Sequence, residues 1–287
     1  MKLQSRLVIG FLIASCLTGA VATVVGITAI NRNTLEEVQR KVQQDIHTAE
    51  LIYFYNLERL QYQLEFISLR SPLQEAIRQN DPATLTNLEV LIRTGTSNKG
   101  DHSCLDMLTL VDAKGRVIYR VANPTAKGDS LLWDPVVSKC LREKRPQSSA
   151  VTMSLHTIED QNPRLTSRVV IPIVNTPQSV KIRDKVLTEG MVLRAAYPIR
   201  GTDGEFLGAL IGGILLNRDY GIVDSIKETV YHDETYRGRD IGFATIFLGP
   251  VRISTNVKTA DQKRAVGTIV SKEVYDRVIV RGQDWVG

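Results

Sequence analysis

The chain opens on an uncharged apolar run from Leu7 to Ile30, and no second run of that length follows. At 1.5 Å of rise per helical residue the run spans roughly 36 Å, enough for a hydrocarbon core of about 30 Å. Lys2 and Arg6 precede it, whereas Arg32 is soon followed by Glu36 and Glu37. By the positive-inside rule this asymmetry keeps residues 1–6 in the cytoplasm and places everything after Asn31 outside it. Two other readings compete. A cleaved signal has a shorter apolar core ending at small residues, but this run passes directly into a helical pattern. Ile13-Ala14-Ser15-Cys16 reads like a lipoprotein acylation box, yet residues 17–30 stay apolar where a mature lipoprotein turns polar. An uncleaved signal anchor over residues 7–30 accounts best for the pattern.

Leu35, Val38, Val42, Ile46, Ala49, Tyr53, Leu57, Leu60, Leu64 and Ile67 then recur at steps of three and four. That period predicts one long helix over residues 31–70 with a single apolar stripe. No Gly or Pro stands at its junction with the anchor, so the two are expected to be continuous. The stripe is expected to pair with its copy in a parallel homodimer, and packing on the chain's own domain is the competing role. Ser71-Pro72 ends the pattern, because a residue before proline disfavours the α region. Short helices are expected at Pro72–Gln79 and at Pro82–Thr94, and a loop over Gly95–Asp101.

Beyond this point the period shortens to that of strands. Met107–Asp112 and Arg116–Val121 flank Ala113-Lys114-Gly115, a hairpin turn. Asp134-Pro135 opens a helix ending in Arg142, Lys144 and Arg145, a basic C-terminus that complements the helix dipole. Arg168–Val174, Met191–Tyr197 and Phe206–Leu216 read as strands, with a helix near Tyr220–Val230. A second β unit begins with Ala244–Leu248 and Arg252–Val257 across Gly249-Pro250, followed by a helix over Ser271–Arg281. A hairpin and one helix cannot bury a two-faced sheet, so the chain reads as the N-terminal part of a longer receptor. The fold class is α+β, with a first sensory domain over 71–235 and the start of a second over 240–287.

Composition narrows the partners. The 287 residues are 43% hydrophobic and 23% charged, sufficient for a globular core outside the membrane. Taking Lys2 and Arg6 from the net charge of +5 leaves +3 on the exported part, too little to argue for nucleic acid. Of three cysteines, Cys16 lies in the apolar run, and Cys104 and Cys140 could pair in an oxidising compartment. His47, His102, His156 and His232 are scattered without metal-ligand spacing, and Asp101-His102-Ser103-Cys104 reads as a loop. Gly201, Gly204, Gly208, Gly212 and Gly213 mark a turn and a β run, not the strand–loop–helix context of a phosphate cradle. No cofactor is expected, and the chain holds no catalytic module.

The ordered set of elements resembles the Cache sensors of bacteria, PAS-like antiparallel sheets that occur outside the cytoplasm. Leu110-Val111-Asp112-Ala113-Lys114-Gly115-Arg116-Val117-Ile118-Tyr119-Arg120 carries the resemblance, with Asn123-Pro124, Gly128-Asp129, Ala196-Tyr197-Pro198-Ile199 and Gly208–Leu216. Ala244–Leu248, Arg252–Val257 and Arg264-Ala265-Val266-Gly267-Thr268 resemble the double sensory domain of two-component sensor histidine kinases. The resemblance implies a small-molecule sensor whose output module, a histidine kinase or a methyl-accepting chemoreceptor module, lies beyond this chain. A membrane-anchored adaptor without a ligand is the third reading.

The family's amino-acid sensors use an arginine–aromatic cluster and an aspartate beside the last strand. Here Leu215-Leu216-Asn217-Arg218-Asp219 puts Asn217 where that aspartate is expected, which shifts the expected ligand toward a carboxylate or other anion. Arg120, Arg168 and Arg194 sit on expected strands, and a guanidinium fork suits carboxylates. Tyr119 and Tyr197 could form an amphipathic wall. Period-two alternation puts Arg194 and Tyr197 on opposite faces of their strand. Surface ion pairs for the arginines and packing for the tyrosines are the competing roles.

Overall fold

The computed structural model describes residues 3–69, 73–74, 77–78, 105–231, 235–236, 239–240 and 242–284. The expected helix over Pro82–Thr94, the loop over Gly95–Asp101 and Cys104 lie outside the described residues, as does half of Pro72–Gln79. Two compact units divide the chain, residues 1–48 with 286–287 and residues 49–285. Helix α1 runs over Leu3–Ser68, as the uninterrupted helical period predicts. Among the described residues no helix is long and apolar enough to cross a membrane. The side chains of residues 7–10, 13–14 and 30, within the apolar run, lie outside the described set.

The larger unit is built on a five-stranded antiparallel sheet. Its strands are β1 (Met107–Asp112), β2 (Val117–Arg120), β3 (Gln147–Ser154), β6 (Glu189–Arg200) and β7 (Phe206–Leu215), in the order β2-β1-β7-β6-β3. The β1–β2 hairpin closes as expected, with Gly115 at φ 78° and the Asp112 carboxylate accepting from the Lys114 and Arg116 amides. Helix α2 (Pro135–Glu143) follows, then α3 (Leu155–Gln161) and the single turn α4 (Thr166–Val169). A two-residue pair, β4 (Ile171–Pro172) with β5 (Val186–Leu187), precedes β6, and α5 (Gly221–Tyr231) leaves the sheet after β7. Beyond the short pair β8 (Thr235–Tyr236) and β9 (Arg239–Asp240), the second β unit is the hairpin β10 (Thr245–Leu248) and β11 (Val251–Thr255). It ends in one helical turn, α6 (Lys272–Val274), and a π-helical turn over Tyr275–Val280.

Strand alternation sorts the core into two layers. On one face Leu57, Leu60, Leu64 and Ile67 of α1 pack with Leu108, Leu110, Leu193 and Ile214. Leu60 and Leu64 are completely buried, and each contributes about 1.5–3 kcal/mol on that account. On the other face Val111, Ala196 and Ile211 meet Val137 and Cys140 of α2, while Met107 and Val192 meet Met153, Ile158 and Val169.

Three expectations are corrected. The α1 stripe from Leu57 to Ile67, expected to pair with a second copy, packs against its own sheet instead. Arg168 is helical, not on a strand: the Asn162 side chain accepts from the Arg164 amide and Pro163 follows it, which starts a helical turn. Strand β3 went unseen because its sequence, Gln147–Ser154, is polar and only Met153 is buried. It holds its place as an edge strand paired along β6, from Gln147 opposite Ala196 to Ser154 opposite Glu189.

Candidate functional site

Two buried arginines project from the sheet face that α2 and α3 cover. Arg120 ends β2 directly across from Thr109, and its side chain is only 2% exposed. Its Nη1 and Nη2 donate to the two carboxylate oxygens of Asp129 at 2.7 Å each, a bidentate fork, and Nη1 also donates to the Ala126 carbonyl at 2.7 Å. The Gln161 amide satisfies its neighbours when its oxygen accepts from Arg120 Nε and Nη2, at 3.1 and 3.2 Å, and its nitrogen donates to Thr109. Every N–H of this guanidinium is then engaged.

Arg194 differs. It stands on β6 opposite Gly213 of β7, with no exposed surface. Its Nε donates to Asp134 Oδ2 at 2.9 Å, while Nη1 and Nη2 are buried with no hydrogen-bond partner. Asp134 is equally buried, and its Oδ1 caps α2 by accepting from the Val136 and Val137 amides at 2.9 and 3.3 Å. Gly213 makes room for the guanidinium: a Cβ there would stand 3.3 Å from Nη1. Burial draws the Arg194 pKa below the usual value, Asp134 opposes this, and the positive charge of Arg120 adds to the lowering. Three strand spacings, about 14 Å, separate β2 from β6, a gap that two extended arginine side chains on one face can close. Arg120 and Arg194 thus share one face of the sheet, Arg120 with Thr109, Asp129 and Gln161 and Arg194 with Asp134, near enough for the charge of one to act on the other.

The other four expected residues lie elsewhere. Arg168 Nη1 donates to both Asp106 oxygens at 3.0 and 3.1 Å, its Nε donates to the Asn217 carbonyl, and its Nη2 donates to the Leu215 carbonyl. Burial raises the Asp106 pKa, against the opposing pull of Arg168. The Asn217 amide is spent on the main chain, accepting from Met191 N and donating to Glu189 O, each at 3.0 Å. These two residues lock the end of β7 to α4 and β6. Tyr119 and Tyr197 point to the α1 face, where the Tyr197 hydroxyl donates to Glu65 at 2.9 Å. Burial and that carboxylate raise the tyrosine pKa. Alternation had set Arg194 and Tyr197 apart, and the structure does so.

Asp129, Asp134, Gln161 and Thr109 were not singled out from sequence. Asp134 is visible as the residue opening a helix and Asp129 among the residues that carry the Cache resemblance; neither position signals an arginine partner.

On the α1 face a separate cavity of about 230 Å³ is lined by the apolar Leu193, Ile214 and Leu216 and by the polar Asn56, Arg59 and Asp219. Cys140 is a buried free thiol whose pKa is pushed up to about 12 by desolvation. Among the described residues no group of three or more His, Cys, Asp or Glu could hold a metal ion.

A family model for single Cache domain 3 matches residues 214–287. Among solved structures, the periplasmic domain of Vibrio cholerae LuxQ is 13% identical, over 77% of this chain and 82% of that one, with a TM-score of 0.44. The sensor domain of the V. cholerae histidine kinase DctB is 14% identical, over 77% and 68% of the two chains, with a TM-score of 0.44. The extracellular domain of the histidine kinase vpHK1S-Z8 is 11% identical over 85% and 83%, with a TM-score of 0.42. No curated protein sequence matches significantly. The model for the periplasmic domain of LuxQ matches residues 31–235, the greater part of the chain, and the chain therefore belongs to the LuxQ periplasmic-domain family.

Proposed function

We propose that the chain is the membrane-anchored, extracytoplasmic input region of a two-component sensor histidine kinase, and that it binds a small carboxylate or similar anion. Residues 7–30 form the anchor, with residues 1–6 in the cytoplasm. Residues 71–235 make the ligand-binding sensory domain, and 240–287 begin a second. The uncharged run supports the anchor, as does the exposure of its described apolar side chains, among them Phe11, Leu17, Val21 and Val24.

The ligand sits at Arg194, on the sheet face it shares with Arg120. The observation that carries this reading is the pair of partnerless, fully buried Nη groups of Arg194. Leaving a buried donor unsatisfied costs about 1–3 kcal/mol, and more on a charged group, so the fold retains an expense that an oxygen ligand removes. The free edge, Nη1 with Nη2, suits the two oxygens of a carboxylate. Arg168, Asn217, Tyr119 and Tyr197 are not assigned to this site.

Homodimerisation through α1 uses the face opposite the buried stripe. Leu51, Phe54, Tyr62, Phe66 and Leu69 are 56–68% exposed there and share one side of the helix. Ligand binding acts on output only through unequal affinity for two arrangements of sheet and helix.

The test is a thermal-shift titration of the full chain in detergent with acetate, glycolate, succinate and phosphate. Selective binding to the folded state adds about 2.7 kcal/mol at a hundredfold excess over Kd. A titrating rise that is lost in Arg194→Met is expected. The same rise in the variant, or no rise with any of the four, refutes the site.

A further inference from the structure

We propose that the cavity between α1, the sheet and α5 is a second ligand site. Its ligand is a small molecule without net charge, an aliphatic body joined to a head group that both donates and accepts hydrogen bonds.

The sheet separates this cavity from Arg194. Leu193 and Ile214, paired across β6 and β7, line it. The next pair along, Arg194 opposite Gly213, belongs to the other face, because neighbouring residues of a strand alternate. The two places lie on opposite faces of one sheet, and each stands without the other.

The space is too large to be slack packing. Native cores keep few voids larger than a water molecule, and about 230 Å³ is many times the room that one water needs. It is smaller than the roughly 300–1,000 Å³ of pockets for drug-sized ligands, so its guest is smaller too.

The lining sets the chemistry of that guest. Leu193, Ile214, Leu216 and Ile222 are each 8% exposed or less and suit an aliphatic body. Asn56, Arg59, Asp219 and Ser225 add an amide, a guanidinium, a carboxylate and a hydroxyl, all on partly buried residues. A few polar groups on an apolar wall is the makeup of a ligand pocket. Three of the four are held by bonds of their own. Asn56 Nδ2 donates to the Ile52 carbonyl at 2.7 Å, and Arg59 Nη2 donates to Asn56 Oδ1 at 3.3 Å. Asp219 Oδ1 accepts from the Gly221 amide at 2.9 Å. Groups fixed beforehand lose little freedom when a ligand arrives.

Arg59 and Asp219 carry one charge of each sign. A charged guest would bring a net charge into this partly buried space, which desolvation opposes. A guest without net charge leaves the balance intact and finds both donors and acceptors. Two kinds of molecule offer that chemistry, one with an uncharged head such as a primary amide and one that is a zwitterion.

The position gives such binding an outlet. The Arg218 amide donates to the Ile253 carbonyl of β11 at 2.9 Å, and the Ser254 hydroxyl donates to the Asp219 carbonyl. An occupant therefore meets α1, the sheet and a segment pinned to the second β unit, and it favours whichever arrangement of the three it fits better.

The test is calorimetric titration of the full chain in detergent. Isocaproamide and leucine are the guests without net charge, and isocaproate and isoamylamine are their charged counterparts. Ser225→Leu and Ile52→Phe each put added apolar atoms on the cavity wall. Ser138→Leu makes the first of these changes on α2, behind the sheet. Every variant is first shown to be folded by circular dichroism. The expected result is saturable binding of isocaproamide or leucine, at least about tenfold tighter than either charged counterpart. That binding is lost in the two filling variants and unchanged in Ser138→Leu. Binding of the amide alone assigns an uncharged ligand, binding of leucine alone a zwitterion, and binding of both a site that selects on net charge. No saturation with either guest below about 10 mM overturns the site, as does equal binding of all four. A wild-type isotherm in both filling variants, or an equal loss in Ser138→Leu, overturns it as well.

Discussion

Removing either partner of the Asp134–Arg194 pair should have very unequal effects on stability. Asp134→Ala takes away the cap of α2, worth about 1 kcal/mol, and leaves the guanidinium buried without any counter-charge. Breaking a buried pair in this direction costs about 3–5 kcal/mol, so the sum is about 4–6 kcal/mol. Arg194→Met removes the same ion pair, but the remaining carboxylate keeps the Val136 and Val137 amides, and the partnerless Nη groups disappear. The buried carboxylate also loses its counter-charge, at about 3–5 kcal/mol, against which removal of the partnerless Nη groups returns about 1–3 kcal/mol, so the net loss is about 1–3 kcal/mol.

The assay is thermal melting of the full chain in one detergent, followed by circular dichroism, without added anions. For a domain of this size 1 kcal/mol corresponds to about 2–4 °C, so Asp134→Ala should melt at least about 10 °C below wild type. Arg194→Met should fall by about half as much or less. If Arg194→Met falls as far as Asp134→Ala, the Nη groups are already satisfied in the unliganded protein. The argument for a vacant oxygen site would then fail.

Further outcomes test the layers around the site. Gly213→Ala sets a Cβ 3.1 Å from Val192 Cγ1 and 3.3 Å from Arg194 Nη1, so anion binding should weaken while melting changes little, as titration and melting together will show. Leu64→Ala, wholly buried beneath the sheet, should cost about 2–5 kcal/mol in melting experiments. Phe66→Ala, 66% exposed, should leave melting unchanged but reduce intersubunit crosslinking of cysteines placed along α1. Tyr197→Phe loses the bond to Glu65 and about 0.5–1.5 kcal/mol, with anion affinity unaltered by calorimetry. The Asp129 carboxyl is held below its ordinary pKa of 3.8, so its stabilising effect is complete above that value and disappears as pH falls through the lower folded value. Melting of wild type and Asp129→Asn should therefore differ at neutral pH and converge as acid is added; a gap that does not narrow contradicts the ion pair.

Helical period, hairpin chemistry and the glycine turn made α1 and the β1–β2 hairpin legible from residues alone, because each is determined by neighbours in sequence. β3 was not, since a polar edge strand takes its structure from the partner it pairs with. The candidate site was legible in part. Arginines on short β runs pointed to Arg120 and Arg194, and alternation separated Arg194 from Tyr197. The same logic put Arg168 and Asn217 forward, yet their polar groups serve the main chain at the end of β7. Residue type cannot tell a guanidinium that holds a carbonyl of its own fold from one held for a ligand. That distinction lies in which hydrogen bonds remain unmade, and only the folded arrangement displays it.

Gly212 and Gly213 give the sheet an unusual thinness at one point. A Cβ on Gly212 would reach 2.9 Å from a Leu64 methyl and 3.2 Å from one of Leu60, while Gly213 lies under the Arg194 guanidinium on the other side. Elsewhere in a sheet, side chains cushion one layer from the next and absorb small displacements by changing rotamer. Here the partition is bare backbone, with no rotamer to absorb anything. A shift of the guanidinium by a fraction of an ångström bears on peptide units that rest directly on α1, so at this position the wall between the charged layer and the helix behaves as a diaphragm.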